Sequence, residues 1–240
     1  MKSAWNFTFP SKIKMYLTDL LLPNRCPGCG KLLIWDKLMC DACRSKLIPA
    51  QVCPVCGKKP CTDHSSLRFD RALCLYEYSG KCKEAIYSLK YNGGINFAIY
   101  CGEKLGEMLE EQGISREADA VCCVPMSRRK RRRRGYNHAQ ILARFVAKEL
   151  DKPFYKDLLL HSDTLTEHHR LSAAQRRENA QKSFSPGKNK IDLKSKTIIL
   201  CDDIYTTGST MNACADQLKQ MGAKKVIAVS IATTMPENDN

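Results

Sequence analysis

Half of the chain's cysteines crowd into one short stretch, and that clustering constrains the fold more than any other feature. Seven of the fourteen lie between Cys26 and Cys61, most as Cys-x-x-Cys pairs, and the other seven sit among apolar neighbours such as Leu73-Cys74-Leu75 and Val121-Cys122-Cys123-Val124. A secreted disulfide framework would spread its cysteines evenly behind a signal peptide, and this pattern does neither. Cys26-Pro-Gly-Cys29 is followed by Cys40-Asp-Ala-Cys43, and each pair can place two thiolates on one metal through a tight turn. Gly30 suits the positive φ needed beside such a knuckle. Four soft ligands with no open position predict a closed, structural zinc site that folds a segment too small to have its own core.

A second group, Cys53-Pro-Val-Cys56-Gly57 followed by Cys61 and His64, has the form of a Cys-x-x-Cys pair plus a Cys-x-x-His pair and is the expected seat of a second zinc. A solvated loop histidine is the alternative for His64, and spacing leaves open whether the pairs interleave as a cross-brace. The His-x-Glu with Pro-Cys-x-x-Cys of nucleobase deaminases and the His-Glu-x-x-His of metalloproteases are both missing, so zinc is not expected to be the reacting centre. The scattered cysteines read as reduced core residues, and both groups point to a reducing cytoplasm.

At 240 residues, 43% of them hydrophobic, the chain can bury one sizeable core with a small appendage. No stretch of eighteen apolar residues occurs, and Pro23 breaks the run Leu20-Leu21-Leu22, which argues against a membrane span or a secretory signal. Residues 11–22 are expected to form a short amphipathic helix. The net charge of +14 is uneven, because Arg128 to Arg134 (Arg-Arg-Lys-Arg-Arg-Arg-Arg) supplies half of it. Seven adjacent like charges should be exposed and mobile. Their natural partners are phosphates, on a nucleic-acid backbone or on a polyphosphorylated small molecule.

The carboxy-terminal half carries the chemistry. Thr197 to Cys201 is a continuous apolar run, as in a buried parallel strand. Met211, Cys214, Leu218 and Met221 then follow helical spacing, Gly222 stands where a helix C′ glycine belongs, and Val226 to Ala232 is a second apolar run. The unit is a βαβ crossover, whose first loop is the crevice where doubly wound sheets hold ligands. Asp202 and Asp203 stand at the carboxyl end of the strand, and Thr206, Thr207, Gly208, Ser209 and Thr210 open the helix. Hydroxyls, a glycine and unpaired N–H groups at a helix start cradle a phosphate monoester. The carboxylates beside them suit ribose hydroxyls or Mg²⁺. No Walker A string occurs.

Ile198 to Met211 resembles the phosphoribosyl-pyrophosphate (PRPP) motif of type I phosphoribosyltransferases: hydrophobic strand, two acids, two residues, then Thr-Thr-Gly-Ser-Thr. The likeness extends along nearly the full chain. The cysteine-rich segment, Phe69-Asp70, Tyr76-Glu77-Tyr78-Ser79-Gly80, Leu89-Lys90-Tyr91, Val124-Pro125 and Arg134-Gly135-Tyr136-Asn137 together are similar to the ComF family, ComFC-like competence proteins in particular. The resemblance implies a double zinc ribbon ahead of a phosphoribosyltransferase domain and an association with natural transformation. His64 departs from it, since family members often have a cysteine there. The resemblance assigns Val124, Pro125, Met126 and Ser127 to the pyrophosphate loop, with Arg128 and Arg134 supplying cations to the diphosphate. It also places a mobile lid over residues 161–184, where the alternative is a solvated amphipathic helix from Ser172 to Gln181.

The expected fold is α/β, a parallel sheet flanked by helices of the type I phosphoribosyltransferase kind, with a zinc-ribbon module over residues 1–68 and the sheet domain over 69–240. The expected function is PRPP binding with Mg²⁺, Asp202 and Asp203 serving as catalytic acids, and displacement of pyrophosphate by an acceptor that the sequence does not reveal. A different class remains open: a single-stranded DNA-handling factor, working with other competence proteins, whose PRPP site is a sensor or relic. Tyr136 is the only aromatic residue within ten positions of the basic run, whereas single-strand platforms usually stack bases on several.

Overall fold

The computed structural model describes residues 24–34, 36–51, 53, 67–162, 183–187 and 191–234. The expected helix over 11–22, the second-zinc residues Cys56, Cys61 and His64, and the lid segment between residues 162 and 183 lie outside the described residues.

Among the described residues the helices are α1 (Asp41–Arg44), α2 (Gly80–Tyr91), α3 (Ile95–Glu111), α4 (Ile114–Glu117), α5 (Arg128–Arg134), α6 (His138–Glu149) and α7 (Ser209–Gln220). The strands are β1 (Arg71–Glu77), β2 (Ala120–Cys123), β3 (Phe154–Tyr155), β4 (Leu159–His161), β5 (Phe184–Pro186), β6 (Thr197–Tyr205) and β7 (Lys225–Thr233). Five strands form one parallel sheet in the order β1-β7-β6-β2-β3, while β4 and β5 pair antiparallel. The α/β expectation therefore holds.

β6 lies between β7 and β2, so both its edges are paired and both its faces covered, which is why its first half is continuously apolar. Its alternation splits the core in two. Ile199 and Cys201 pack with α2, α3 and α6, and Ile198 and Leu200 pack with α7 on the other face. α3 can lie close against α6 because Gly102 and Gly106 have no Cβ: one on Gly102 would stand 2.5 Å from that of Phe145 and one on Gly106 would collide with Glu149. The expected crossover is present as β6-α7-β7. Gly222, at φ +102°, donates its N–H to Lys219 O while Ala223 donates to Leu218 O, a Schellman ending.

The core cysteines behave as expected: Cys74, Cys82, Cys101, Cys122, Cys123, Cys201 and Cys214 are buried and free. The basic run does not behave wholly as expected. Arg128 to Arg133 are exposed and Arg134 is half-buried, and the run is a helix rather than a mobile stretch. Ser127 Oγ accepts the Lys130 N–H at its start, and Gly135 at φ +80° ends it, so good helix formers between a cap and a stop overcome their mutual repulsion.

Candidate functional site

The first cysteine pairs close on one another as predicted. The Sγ atoms of Cys26, Cys29, Cys40 and Cys43 all lie within 4.8 Å of each other, with Cys26 and Cys40 at 3.5 Å and Cys29 and Cys40 at 3.9 Å. A tetrahedron with Zn–S bonds of about 2.3 Å sets its sulfurs about 3.8 Å apart, so the set fits zinc. Gly30 adopts φ +72°, and a Cβ on Gly28 would press within 3.1 Å of Cys43 Sγ. Burial pushes the Cys26 thiol up, but N–H donors from Cys40 and Gly28 together with the Cys40 and Cys29 thiols outweigh it and bring it to about 7. The knuckle is pinned to the sheet body, since Lys81 Nζ donates to Gly28 O at 3.1 Å and Cys26, Met39, Cys43 and Leu47 share a core with α2 and α3. Cys53 is half-buried.

A cavity of about 290 Å³ opens at the carboxyl edge of the sheet, lined by Lys90 from α2, Val124 to Ser127, Lys130 and Arg134 from α5, Asn137 to Ala139, His161, Phe184, Asp202, Asp203 and Thr210. Each wall has a local cause. Val124 continues β2 by donating its N–H to Cys201 O at 2.9 Å, and Asn137 Nδ2 holds the Val124 carbonyl at 3.0 Å. The two acids lie within β6, before its end at Tyr205. Asp202 Oδ1 accepts the Asp203 N–H at 2.8 Å, and Asp203 Oδ2 meets Lys90 Nζ at 2.7 Å. Burial, reinforced by the Asp203 charge, holds the Asp202 carboxyl well above the usual range.

α7 starts beside the acids. Gly208 caps it at φ +71°, where any Cβ would strike the Tyr205 ring, so only glycine fits. Thr207 Oγ1 and Ser209 Oγ are 2.9 Å apart. Two adjacent carboxylates on a wall of hydroxyls suit a hard cation that keeps its own waters, so the donor set is compatible with Mg²⁺.

The cavity brings together eight of the residues singled out from sequence: Val124, Pro125, Met126, Ser127, Arg134, Asp202, Asp203 and Thr210. Thr206, Thr207, Gly208 and Ser209 form the neighbouring turn without lining it, and Arg128 is exposed on α5. Sequence reasoning missed Lys90, Lys130 and His138 as wall residues. His138 is 1% exposed, its Nε2 has no hydrogen-bond partner among the described residues, and burial lowers its pKa to about 4 despite the Asp203 charge. Leu89-Lys90-Tyr91 carried a family signal, but nothing local gave Lys90 a role. His161 and Phe184, paired across β4 and β5, both line the cavity.

Residues 17–83 match the double zinc ribbon domain and residues 132–238 the phosphoribosyl transferase domain. "Competence protein ComFC" of Bacillus subtilis is 27% identical over 217 residues, 84% of this chain and 85% of that protein. Along most of its length the chain is similar to ComF-family proteins. "DNA utilization protein YhgH" of Escherichia coli K12 is 23% identical over 88% of this chain and 90% of its own length. "Competence protein F" of Haemophilus influenzae is 31% identical over 108 residues, and there the match spans about half the relative, 47%. Among solved structures, a hypoxanthine phosphoribosyltransferase from Staphylococcus aureus is 14% identical, covering 57% of this chain and 62% of that one at a TM-score of 0.37. The fold of this chain rests instead on its own strand order. No helix among the described residues is long and apolar enough to cross a membrane.

Proposed function

We propose that this protein binds PRPP, with Mg²⁺, at the carboxyl edge of its sheet and acts as a phosphoribosyltransferase in DNA utilization. The supporting observation is the single cavity in which the acid pair of β6, the start of α7 and the cationic side chains of α5 meet. In this reading the 5′-phosphate rests on the N–H groups and hydroxyls of Thr206 to Thr210. Asp202 and Asp203 take the ribose hydroxyls, and the diphosphate lies toward Val124 to Ser127, Lys130 and Arg134, with Arg128 at the rim. Bound Mg²⁺ would neutralise charge on the diphosphate.

Loss of diphosphate leaves positive charge on the ribose ring, so the chain's own task is to hold the leaving group. Lys130 and the Arg134 guanidinium, whose buried Nε has no partner among the described residues, supply donors for developing negative charge. A zinc module over residues 1–68 and a catalytic domain over 69–240 complete the proposal, with a second zinc at Cys53, Cys56, Cys61 and His64. Calorimetric titration with PRPP and Mg²⁺ tests it, binding being the expected result and its absence the contrary one.

A second reading, single-stranded nucleic acid on the outer face, is favoured by one observation. Tyr87 and Tyr91 are both more than half exposed on α2, their rings 4.9 Å apart, and the Arg134 guanidinium lies 5.3 Å from the Tyr91 ring. The basic helix thus has the aromatic neighbours that its flanking sequence lacks. Stacking on such a pair beside a cationic strip is how sequence-tolerant single-strand binders work. The two readings are compatible, and the salt dependence of oligonucleotide binding tests the second.

A further inference from the structure

Lys90 holds a position that the phosphoribosyl reading leaves unexplained, and the inference below rests on that reading. Its ammonium is 2.7 Å from Asp203 Oδ2, and the two side chains are 19% and 16% exposed. Asp203 neighbours a second acid, Asp202, whose Oδ1 accepts the Asp203 N–H at 2.8 Å. A carboxylate so enclosed is stabilised by a cation. In the protein without ligand, Lys90 is that cation, delivered by a helix more than a hundred residues away in sequence.

Loading PRPP changes what each partner can reach. The substrate brings hydroxyls and a divalent cation to the acids and a polyanion to the cationic part of the cavity lining, which Lys90 shares with Lys130 and Arg134. Asp203 then has better company than Lys90, and Lys90 has a better counter-charge than Asp203. A lysine is suited to such an exchange, being a compact charge on a flexible stem with three rotatable donors. We infer that Lys90 is an exchangeable counter-ion, which neutralises Asp203 while the site is empty and turns to the diphosphate when PRPP and its metal load. A merely structural ion pair tying α2 to β6 would not be expected to act on metal and diphosphate in opposite directions.

The test uses the full, zinc-loaded chain and three probes: Mn²⁺ alone, inorganic diphosphate with Mg²⁺, and PRPP with Mg²⁺. In Lys90→Met, Mn²⁺ should bind tighter by about threefold or more, because a competing cation has left the acids. Diphosphate and PRPP should bind about tenfold weaker or worse, the worth of one charge-assisted hydrogen bond. Lys90→Arg should retain most of the diphosphate affinity. Since Lys90→Met strands a buried carboxylate and can unfold the site, the same change is also made in Asp203→Asn, where no charge is stranded. There it should still weaken diphosphate binding. Unchanged diphosphate affinity in both backgrounds, or Mn²⁺ binding that weakens in the folded single variant, overturns the inference while leaving the PRPP site intact. Wild-type protein that binds neither PRPP nor diphosphate overturns both.

Discussion

His138 shows at the scale of a single residue how the cavity is tuned. Its ordinary pKa of 6.5 is depressed to about 4 by burial, so the ring is neutral in the folded protein at neutral pH. The sign follows directly. Between pH about 6.5 and 4 the unfolded chain binds a proton that the folded one refuses, so stability falls as pH drops through that window and is unaffected above it. His138→Gln removes this term, and thermal melts of the pair should converge at pH 7.5 and diverge by pH 5 in favour of the variant. A constant difference across that range would contradict it. Asp202, Asp203 and Thr210 were legible in sequence because one strand-turn-helix register carries them. Lys90 and His138 were not, because their meaning comes from burial against a strand far along the chain.

At the scale of elements, α5 and α2 depart most from what local sequence suggests. Repulsion among seven cations argues for a mobile stretch, but the Ser127 cap and Gly135 stop were in the sequence and outweigh it over so short a span. The aromatic neighbours were invisible because α2 supplies them. Their placement leads to a two-part expectation. Tyr87→Ala with Tyr91→Ala should weaken oligo-dT binding by about 1–3 kcal/mol per lost stacking partner while leaving its salt slope unchanged. Arg129 to Arg133 changed to Ser should instead flatten the slope, since each phosphate contact releases counterions. Fluorescence anisotropy across a salt series distinguishes the two, and a slope identical in wild type and the serine variant removes the nucleic-acid reading.

For the whole molecule, hydrophobic runs sufficed to read the parallel sheet and its crossover, and Cys-x-x-Cys spacing the first metal site. The joint between them was not readable, since no pattern says that Cys26, Met39, Cys43 and Leu47 pack with Ile86, Leu89 and Phe97. Nor does any say that residues 48–50 hydrogen-bond along the outer edge of β1. Zinc therefore supports more than its own loop. Purified protein should carry at least one equivalent of zinc, and Cys26→Ser with Cys29→Ser should lower the melting temperature of the sheet as well as unfold the knuckle. Metal analysis below half an equivalent, or a sheet transition that does not move, would contradict this. The phosphoribosyl site itself is tested most directly by calorimetric titration of the zinc-loaded chain with PRPP and Mg²⁺, in wild type and in Asp203→Asn. Saturable wild-type binding that weakens by about tenfold or more in the variant, with both proteins equally folded, is the predicted result; no wild-type binding, or equal affinity in the two, would contradict it.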